Sequence, residues 1–270
     1  MSDLHKVVVL ARGLGTRMRK AAEGAELSGA QAEAASHGAK AMMPIGRPFL
    51  DHCLNAYADA GITEACLVIG PEHQNVRDYY DSLETKRIKV SYAVQEEPLG
   101  TANAVLAAEE WVGADRFVMV NGDNYYPTEA VRALGETEGN ATIGFDSDAL
   151  VANSNIPADR IAAFAILRAD ENGDFADIIE KPAPEVVAAQ PKPILVSMNC
   201  FCFTPEIFES AKRIEPSARG EYEIVDAVRD LVQRGLRVEI VRSESGVLDM
   251  SNQNDIKAVE KVLKGREVEL

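Results

Sequence analysis

The sequence predicts an α/β fold with a doubly wound, mostly parallel sheet and an α+β extension in its second half. Short apolar runs alternate with helix-compatible stretches four times before residue 125. That alternation is typical of a parallel sheet covered by helices on both faces. After Asn140 the rhythm changes, and Asn172-Gly173 is a strong hairpin signal. We therefore expect one domain over residues 1–270, with lobes at about 1–135 and about 136–270.

The first lobe is predicted to alternate strands and helices. We expect strands at Lys6–Ala11, Ala65–Gly70, Ile88–Val94 and Arg116–Val120, and helices at Pro48–Ala60, Glu72–Ser82 and Thr101–Trp111. One further segment, Arg19–Lys40, is rich in Ala, Glu and Gln, which favours helix, but Gly24, Gly29 and Gly38 interrupt it. We expect this segment to be a mobile helical flap and not part of the core.

The second lobe mixes strands and helices without a regular alternation. We expect strands at Ala141–Phe145, Arg160–Arg168, Ala176–Glu180, Ile194–Phe203 and Leu236–Val241, and helices at Glu206–Arg213, Tyr222–Arg234 and Asp255–Leu263. The Arg160–Arg168 and Ala176–Glu180 strands flank the hairpin signal. This pattern indicates an α+β lobe that extends the first sheet.

Composition narrows the class of protein. The net charge of −15 argues against a nucleic-acid partner, which requires a basic face, but a few local cations can still bind a phosphorylated substrate. We expect no membrane partner, because no apolar run approaches the ~18 residues that span a bilayer. The four cysteines lack a C-x-x-C spacing, and free buried thiols suit a reducing compartment. These features predict a cytoplasmic enzyme.

A glycine-rich turn follows the first strand. The run Val7-Val8-Val9-Leu10 leads into Gly13-Leu14-Gly15-Thr16-Arg17. Glycines let backbone N–H groups approach a phosphate closely, and a basic side chain adds charge. The third glycine of the dinucleotide motif is replaced by Met18, which argues against an NAD-binding dehydrogenase. A plain strand-to-helix turn is the alternative interpretation.

Six short motifs occur in a fixed order along the chain. They are Gly13–Arg17 with Lys40, Gln95–Ala102, Asn121–Asp123, Glu180–Pro182, Pro216–Asp226 and Val247–Asp249. In these motifs the sequence resembles the sugar-1-phosphate nucleotidyltransferases, most closely the glucose-1-phosphate thymidylyltransferases and uridylyltransferases. The resemblance runs from about Lys6 to Ile256. It implies a Rossmann-like, glycosyltransferase-A-like fold whose second lobe binds the sugar.

The resemblance also implies substrates and roles. A nucleoside triphosphate and a sugar 1-phosphate would react with Mg²⁺ to give an NDP-sugar and pyrophosphate, with UTP or dTTP as the favoured donor. By the same resemblance, the catalytic cations are Arg17, Lys40 and Lys181; the nucleotide-binding residues are Leu10, Ala11, Gly13, Gly15, Thr16, Arg17, Gln95, Pro98, Gly100 and Thr101; the sugar-phosphate-binding residues are Asn124, Glu180, Lys181, Asn199 and Glu221; and the metal ligands are Asp123 and Asp249. Carboxylates are the hard oxygen ligands that Mg²⁺ prefers. Relatives usually form dimers or tetramers, so a homo-oligomer is expected by analogy.

Simpler interpretations remain open for several of these residues. Lys40 could be a solvated surface lysine, and each aspartate could be a turn or N-cap residue. Glu180 and Lys181 could form a cross-strand ion pair. Asn199 could be a structural strand-end residue, and Glu221 could complement the dipole of the helix that follows.

Three departures from the family pattern stand out. Arg12 replaces a small residue before the glycines. The spacing between Arg17 and Lys40 is longer than usual, which predicts a lid or an oligomer contact. After Asp249 the chain reads Met250-Ser251-Asn252, so the sugar itself is not assigned. The rival functions are cytidylyl or guanylyl transfer to another phosphate acceptor, and a catalytically silent regulatory subunit.

Overall fold

The computed structural model describes residues 4–13, 15–20 and 25–270. The strands are β1 Lys6–Leu10, β2 Pro44–Ile45, β3 Arg47–Pro48, β4 Glu64–Ile69, β5 Lys89–Val94, β6 Phe117–Asn121, β7 Asn124–Tyr125, β8 Asn140–Asp146, β9 Ala165–Ala169, β10 Phe175–Ile179, β11 Leu195–Phe203, β12 Val238–Ser243 and β13 Leu248–Asp249. The helices are α1 Gly29–His37, α2 Phe49–Asp59, α3 Gln74–Asp81, α4 Thr101–Ala107, α5 Glu109–Val112, α6 Thr128–Leu134, α7 Ser147–Asn153, α8 Ala158–Ile161, α9 Pro184–Ala188, α10 Glu206–Arg213, α11 Ile224–Gln233 and α12 Gln253–Leu263.

A nine-stranded sheet runs through both halves of the described chain. Its main order is β10-β9-β11-β6-β1-β4-β5, and β8 pairs with β11 and β12. The four strands predicted for the first lobe are parallel, with β1 between β4 and β6. Strand β11 joins β6 in antiparallel orientation. The predicted α/β fold is confirmed, and the second half extends the first sheet as expected.

Hydrophobic cores cover both faces of this sheet. Alternation along β11 divides its side chains: Cys200 and Cys202 belong to one core, whereas Phe201 and Phe203 belong to the other. All four cysteines are buried and free, as predicted. Within the described residues, no helix combines the length and the apolar composition that a membrane crossing requires.

The hairpin at Asn172-Gly173 is confirmed as the β9–β10 pair. The prediction of a strand over Arg160–Arg168 is wrong in its first part. Arg160 and Ile161 lie in helix α8, and the strand begins at Ala165. Pro157 precedes this helix, and its carbonyl accepts a hydrogen bond from Arg160 N at 2.9 Å. Short helices α6, α7 and α9 were not predicted, since each is too short to show a clear helical period.

Helix α1, which lies within the segment predicted as a mobile helical flap, packs against the core. The helix covers only part of this segment, because it begins after Ser28, whose side chain forms a capping box with Gln31, and ends at Gly38. Gln31 and Ala35 are buried, and Gln31 Nε2 donates a hydrogen bond to Pro44 O at 3.1 Å. The expectation that this segment lies outside the core is therefore wrong for α1. Residues 21–24 lie outside the described residues.

Candidate active site

A cleft of about 960 Å³ opens at the carboxyl ends of β1, β4, β5 and β6. Ligands bind at this edge in open α/β sheets because the loops there converge. The cleft brings together every residue that the sequence assigned to the nucleotide, namely Leu10, Ala11, Gly13, Gly15, Thr16, Arg17, Gln95, Pro98, Gly100 and Thr101. Lys40 and Asp123 line the same cleft, although they are far apart in sequence. Leu14, within the glycine turn, lies outside the described residues.

The glycine turn after β1 is packed against the end of helix α1. Gly15 has φ +58°, and a Cβ there would lie 2.3 Å from Gly38 O. Only glycine fits such a close approach between two backbone segments. His37, Gly38 and Ala39 also line the cleft, so the end of the long insertion forms part of its wall.

Lys40 and Asp123 form an ion pair inside the cleft. Lys40 Nζ lies 2.7 Å from Asp123 Oδ2, with side-chain exposures of 17% and 31%. The backbone turns just before Lys40, since Lys40 N donates to Gly38 O at 2.9 Å. Lys40 is therefore not a solvated surface lysine, and Asp123, which lies in the turn after β6, has this lysine as its partner.

Gln95 stands at the end of β5 with its carboxamide fixed by neighbours. Its Nε2 donates to Gly100 O at 3.0 Å and to Asn103 Oδ1 at 2.8 Å. The residue is only 5% exposed. Both amide hydrogens are thus used inside the protein, which leaves the carbonyl oxygen of the side chain to accept a hydrogen bond.

The Gln95–Ala102 motif is joined to the Pro216–Asp226 motif. Ala102 N donates to Tyr222 O at 2.8 Å, and Tyr222 N donates to Leu99 O at 2.7 Å. Thr101 Oγ1 accepts a hydrogen bond from Ile224 N at 2.8 Å. Gly100 occupies the N-cap of α4. Two motifs that are distant in sequence therefore build one wall of the cleft.

Asp249 lies beside the cleft and is deeply buried. The residue is 3% exposed, its Oδ1 accepts from Asn124 Nδ2 at 3.1 Å, and its Oδ2 pairs with Arg160. Burial raises the pKa of Asp249, the neighbouring Asp123 carboxylate adds to this, and Arg160 opposes it. Met250 N donates to Asp123 O at 3.0 Å, which holds the two aspartate segments side by side.

A smaller cavity of about 190 Å³ lies next to the cleft, and Asn121 lines both. The smaller cavity contains four of the five residues predicted to bind the sugar phosphate, namely Asn124, Glu180, Lys181 and Asn199. The fifth residue, Glu221, lines the larger cleft. Glu221 precedes helix α11 and its N-cap Glu223, so it is not in the first turn of that helix. Its contact with the sugar stays a prediction.

Two residues of the smaller cavity have unusual backbone conformations. Asn199 has φ +54° and Lys181 has φ +44°. Asn199 lies where the pairing of β11 with β8 shifts register, between Ser197 and Phe201. Such a bulge redirects a side chain, and asparagine tolerates this conformation better than most residues. Asn199 is thus a bulge residue and not a strand-end residue.

Sequence reasoning missed two arginines near these cavities. Arg219 lines the smaller cavity, and its Nη2 lies 2.7 Å from Glu223 Oε1 and 3.9 Å from Glu180 Oε2. Burial raises the pKa of Glu223, an effect that Arg219 only partly offsets. Arg219 lies inside the Pro216–Asp226 motif, and this position could have marked it as a candidate site residue. Arg160 bridges Asp249 and Asp255 and has no motif around it.

Comparisons with known proteins identify the family and the fold. A family model described as nucleotidyl transferase matches residues 6–263. A UTP–glucose-1-phosphate uridylyltransferase of Haloferax volcanii is 28% identical over 263 residues, covering 96% of both chains. A glucose-1-phosphate thymidylyltransferase of Streptomyces antibioticus is 30% identical over 262 residues, which cover 96% of this chain but 66% of that relative. The crystal structure of a UDP-glucose pyrophosphorylase complexed with UDP-glucose has the same fold, with a TM-score of 0.74, 19% identity and coverage of 96% and 97%.

Proposed function

This chain belongs to the nucleotidyl transferase family, and we propose that it transfers a nucleotidyl group from a nucleoside triphosphate to a sugar 1-phosphate, giving an NDP-sugar and pyrophosphate. The observation that carries this proposal is the pair of adjoining cavities that share Asn121. One has a glycine turn and cations suited to a triphosphate. The other has the size of a small polar ligand and contains Lys181 beside carboxamides and a carboxylate. The names of the uridylyltransferase and thymidylyltransferase relatives support the same reaction.

The hydrogen bonds of Gln95 favour UTP or dTTP as the donor. Because its amide nitrogen already donates to Gly100 and Asn103, its carbonyl oxygen is the group left for the base. Uracil and thymine carry an N3–H that can donate to this oxygen. Cytosine has an acceptor at N3 and could reach this oxygen only through its exocyclic N4 amino group, so the comparison of triphosphates below decides between UTP, dTTP and CTP.

The reaction requires two anions to meet, so cations must offset their repulsion. Arg17 and Lys40 line the triphosphate side of the cleft, and Lys181 lines the sugar side. An oxygen of the sugar phosphate attacks the α-phosphorus in line, and the bond to pyrophosphate breaks. Positioning and charge stabilisation supply the catalysis, and no covalent enzyme intermediate is needed. The ion pair with Asp123 holds Lys40 in the cleft before substrate arrives.

Asp123 and Asp249 would supply oxygen ligands to Mg²⁺; Asp123 lines the cleft, whereas Asp249 lines neither cavity and would exchange its pairing with Arg160 for the ion. Their segments are hydrogen-bonded to each other, and the Asp123 carboxylate is close enough to raise the pKa of Asp249. The described residues hold no cluster of three or more acidic, His or Cys ligands. Mg²⁺ commonly completes such a site with water and substrate phosphates. When bound, the ion would polarise the α-phosphate.

The test is pyrophosphate release with Mg²⁺, using each of the five common nucleoside triphosphates against a panel of sugar 1-phosphates. We expect turnover with one pair of substrates, most efficiently with UTP or dTTP. Asp123→Asn keeps the size of the side chain but removes its charge, and should abolish turnover. The matched control is Asp159→Asn, since Asp159 is an exposed aspartate outside both cavities.

Two results would reject this proposal in different ways. Turnover with CTP or GTP and a different phosphate acceptor would replace the substrate assignment. Triphosphate binding by calorimetry without turnover on any acceptor would instead favour a catalytically silent, regulatory role.

A further inference from the structure

Arg12 and Glu72 form an ion pair at the rim of the cleft that the proposed reaction does not use. Arg12 follows β1, and Glu72 lies in the loop after β4, the neighbouring parallel strand. Arg12 Nε lies 3.4 Å from Glu72 Oε1, and Arg12 Nη2 lies 3.4 Å from Glu72 Oε2. Both residues line the cleft. Two parallel contacts orient the plane of the carboxylate toward the guanidinium.

The two partners differ in exposure, and this suggests different roles. The Arg12 side chain is 9% exposed and also donates from Nη1 to Gln95 O, whereas the Glu72 side chain is 50% exposed. Arg12 is therefore fixed, and Glu72 keeps an accessible carboxylate in the cleft. Gly70 permits this arrangement, since a Cβ there would lie 2.3 Å from Glu72 Oε2.

The position of the pair within the cleft indicates the part of the donor that it faces. The order of strands at this edge is β5, β4, β1 and β6. Gln95, assigned to the base, follows β5, and the glycine turn, assigned to the phosphates, follows β1. Glu72 follows β4, which lies between them. In a nucleotide the ribose joins the base to the phosphates, so the ribose should lie over the loop that contains Glu72.

We propose that Glu72, oriented by Arg12, accepts a hydrogen bond from the ribose 2′-hydroxyl and makes the enzyme selective for ribonucleoside triphosphates. This inference rests on the proposed function and narrows the nucleotide donor of that reaction to ribonucleoside triphosphates. An ionised carboxylate accepts but does not donate hydrogen bonds, and a ribose hydroxyl is a suitable donor. Arg12 is a positioning residue, because it acts through Glu72.

The test compares UTP with dUTP, which differ only in the 2′-hydroxyl. A hydrogen bond to a charged group is worth enough for the wild-type enzyme to favour UTP by about 10- to 100-fold in kcat/KM. Glu72→Ala should lower the efficiency with UTP to that with dUTP and leave dUTP unchanged. Arg12→Met should reduce the same ratio, because Glu72 loses its orientation. Glu171→Ala, an exposed glutamate on the distant hairpin, is the control and should change neither substrate.

The outcomes for the ribose contact can be told apart from a failure of the proposed transferase activity. Equal use of UTP and dUTP by the wild type, or an equal loss of both in Glu72→Ala, overturns the ribose contact. An equal loss of both in Arg12→Met assigns Arg12 to the phosphates and overturns its positioning role. Preferred use of dTTP also overturns the ribose contact, and if a ribonucleotide other than UTP is used, it is compared with its own 2′-deoxy analogue. If no donor turns over, the proposed function fails, and the inference is decided by calorimetric binding of UTP and dUTP.

Discussion

Substitution of Gly100 by alanine should separate the two motifs that form the base end of the cleft. Gly100 has φ +114°, and a Cβ there would lie 2.5 Å from Tyr222 O and 2.7 Å from Tyr222 N. These are backbone atoms, so they cannot rotate away as a side chain would. The Leu99–Ala102 segment must therefore move off Tyr222 and lose the two hydrogen bonds that join them.

The loss in free energy of unfolding has two parts, the backbone conformation of Gly100 and the two broken hydrogen bonds. Gly100 has φ +114° and ψ 179°, a region essentially restricted to glycine, and an alanine there costs about 1–3 kcal/mol. Each of the two backbone hydrogen bonds contributes about 1 kcal/mol net, so their loss adds about 2 kcal/mol. Gly100→Ala should therefore lower the free energy of unfolding by about 3–5 kcal/mol. It should also weaken triphosphate binding, because Gln95 donates to Gly100 O.

The assay is urea denaturation of Gly100→Ala beside Gly235→Ala. Gly235 has φ +85°, but a Cβ there would meet no atom within 4 Å. Gly235→Ala should thus lower the free energy of unfolding only by the cost of placing alanine at positive φ, about 1–2 kcal/mol. If both variants lose the same free energy, the clash with Tyr222 has no energetic consequence, and the reasoning is refuted.

Two further predictions concern Lys40 and the thiols. Lys40→Met should lower kcat/KM by roughly 100-fold or more, because the positive charge at the reacting phosphates is lost. The same substitution should change the free energy of unfolding by only about 1 kcal/mol, because the ion pair of Lys40 is partly solvated. A loss of stability large enough to account for the loss of activity would instead make Lys40 a structural residue. Burial raises the pKa of Cys66 to about 12, so its thiolate is scarce at pH 8. The four cysteines should therefore resist a thiol reagent in the native protein and react with it in concentrated urea. Fast labelling of the native protein would contradict their burial.

Local pattern was sufficient for much of the fold. The β-branched run Val7–Val9 predicts a strand buried on both faces, and these residues are fully buried in the centre of the sheet. The family resemblance then assigned a set of residues to the nucleotide, and these residues line one cleft. Local pattern failed at Arg160, where a helix occupies the start of the predicted strand, and at α1, whose alanines are not confined to one face and so do not reveal that Gln31 and Ala35 are buried.

The tertiary structure decided which side chains act together. Lys40 and Asp123 are 83 positions apart, and Arg160 and Asp249 are 89 apart, so no sequence window contains either pair. Asn199 faces the smaller cavity because β11 shifts register against β8. Residue type and spacing determine whether a segment can form a buried strand or a tight turn, since those are local properties. The partner of a side chain depends on which strands become neighbours when both faces of the sheet are buried, and only the folded chain determines that.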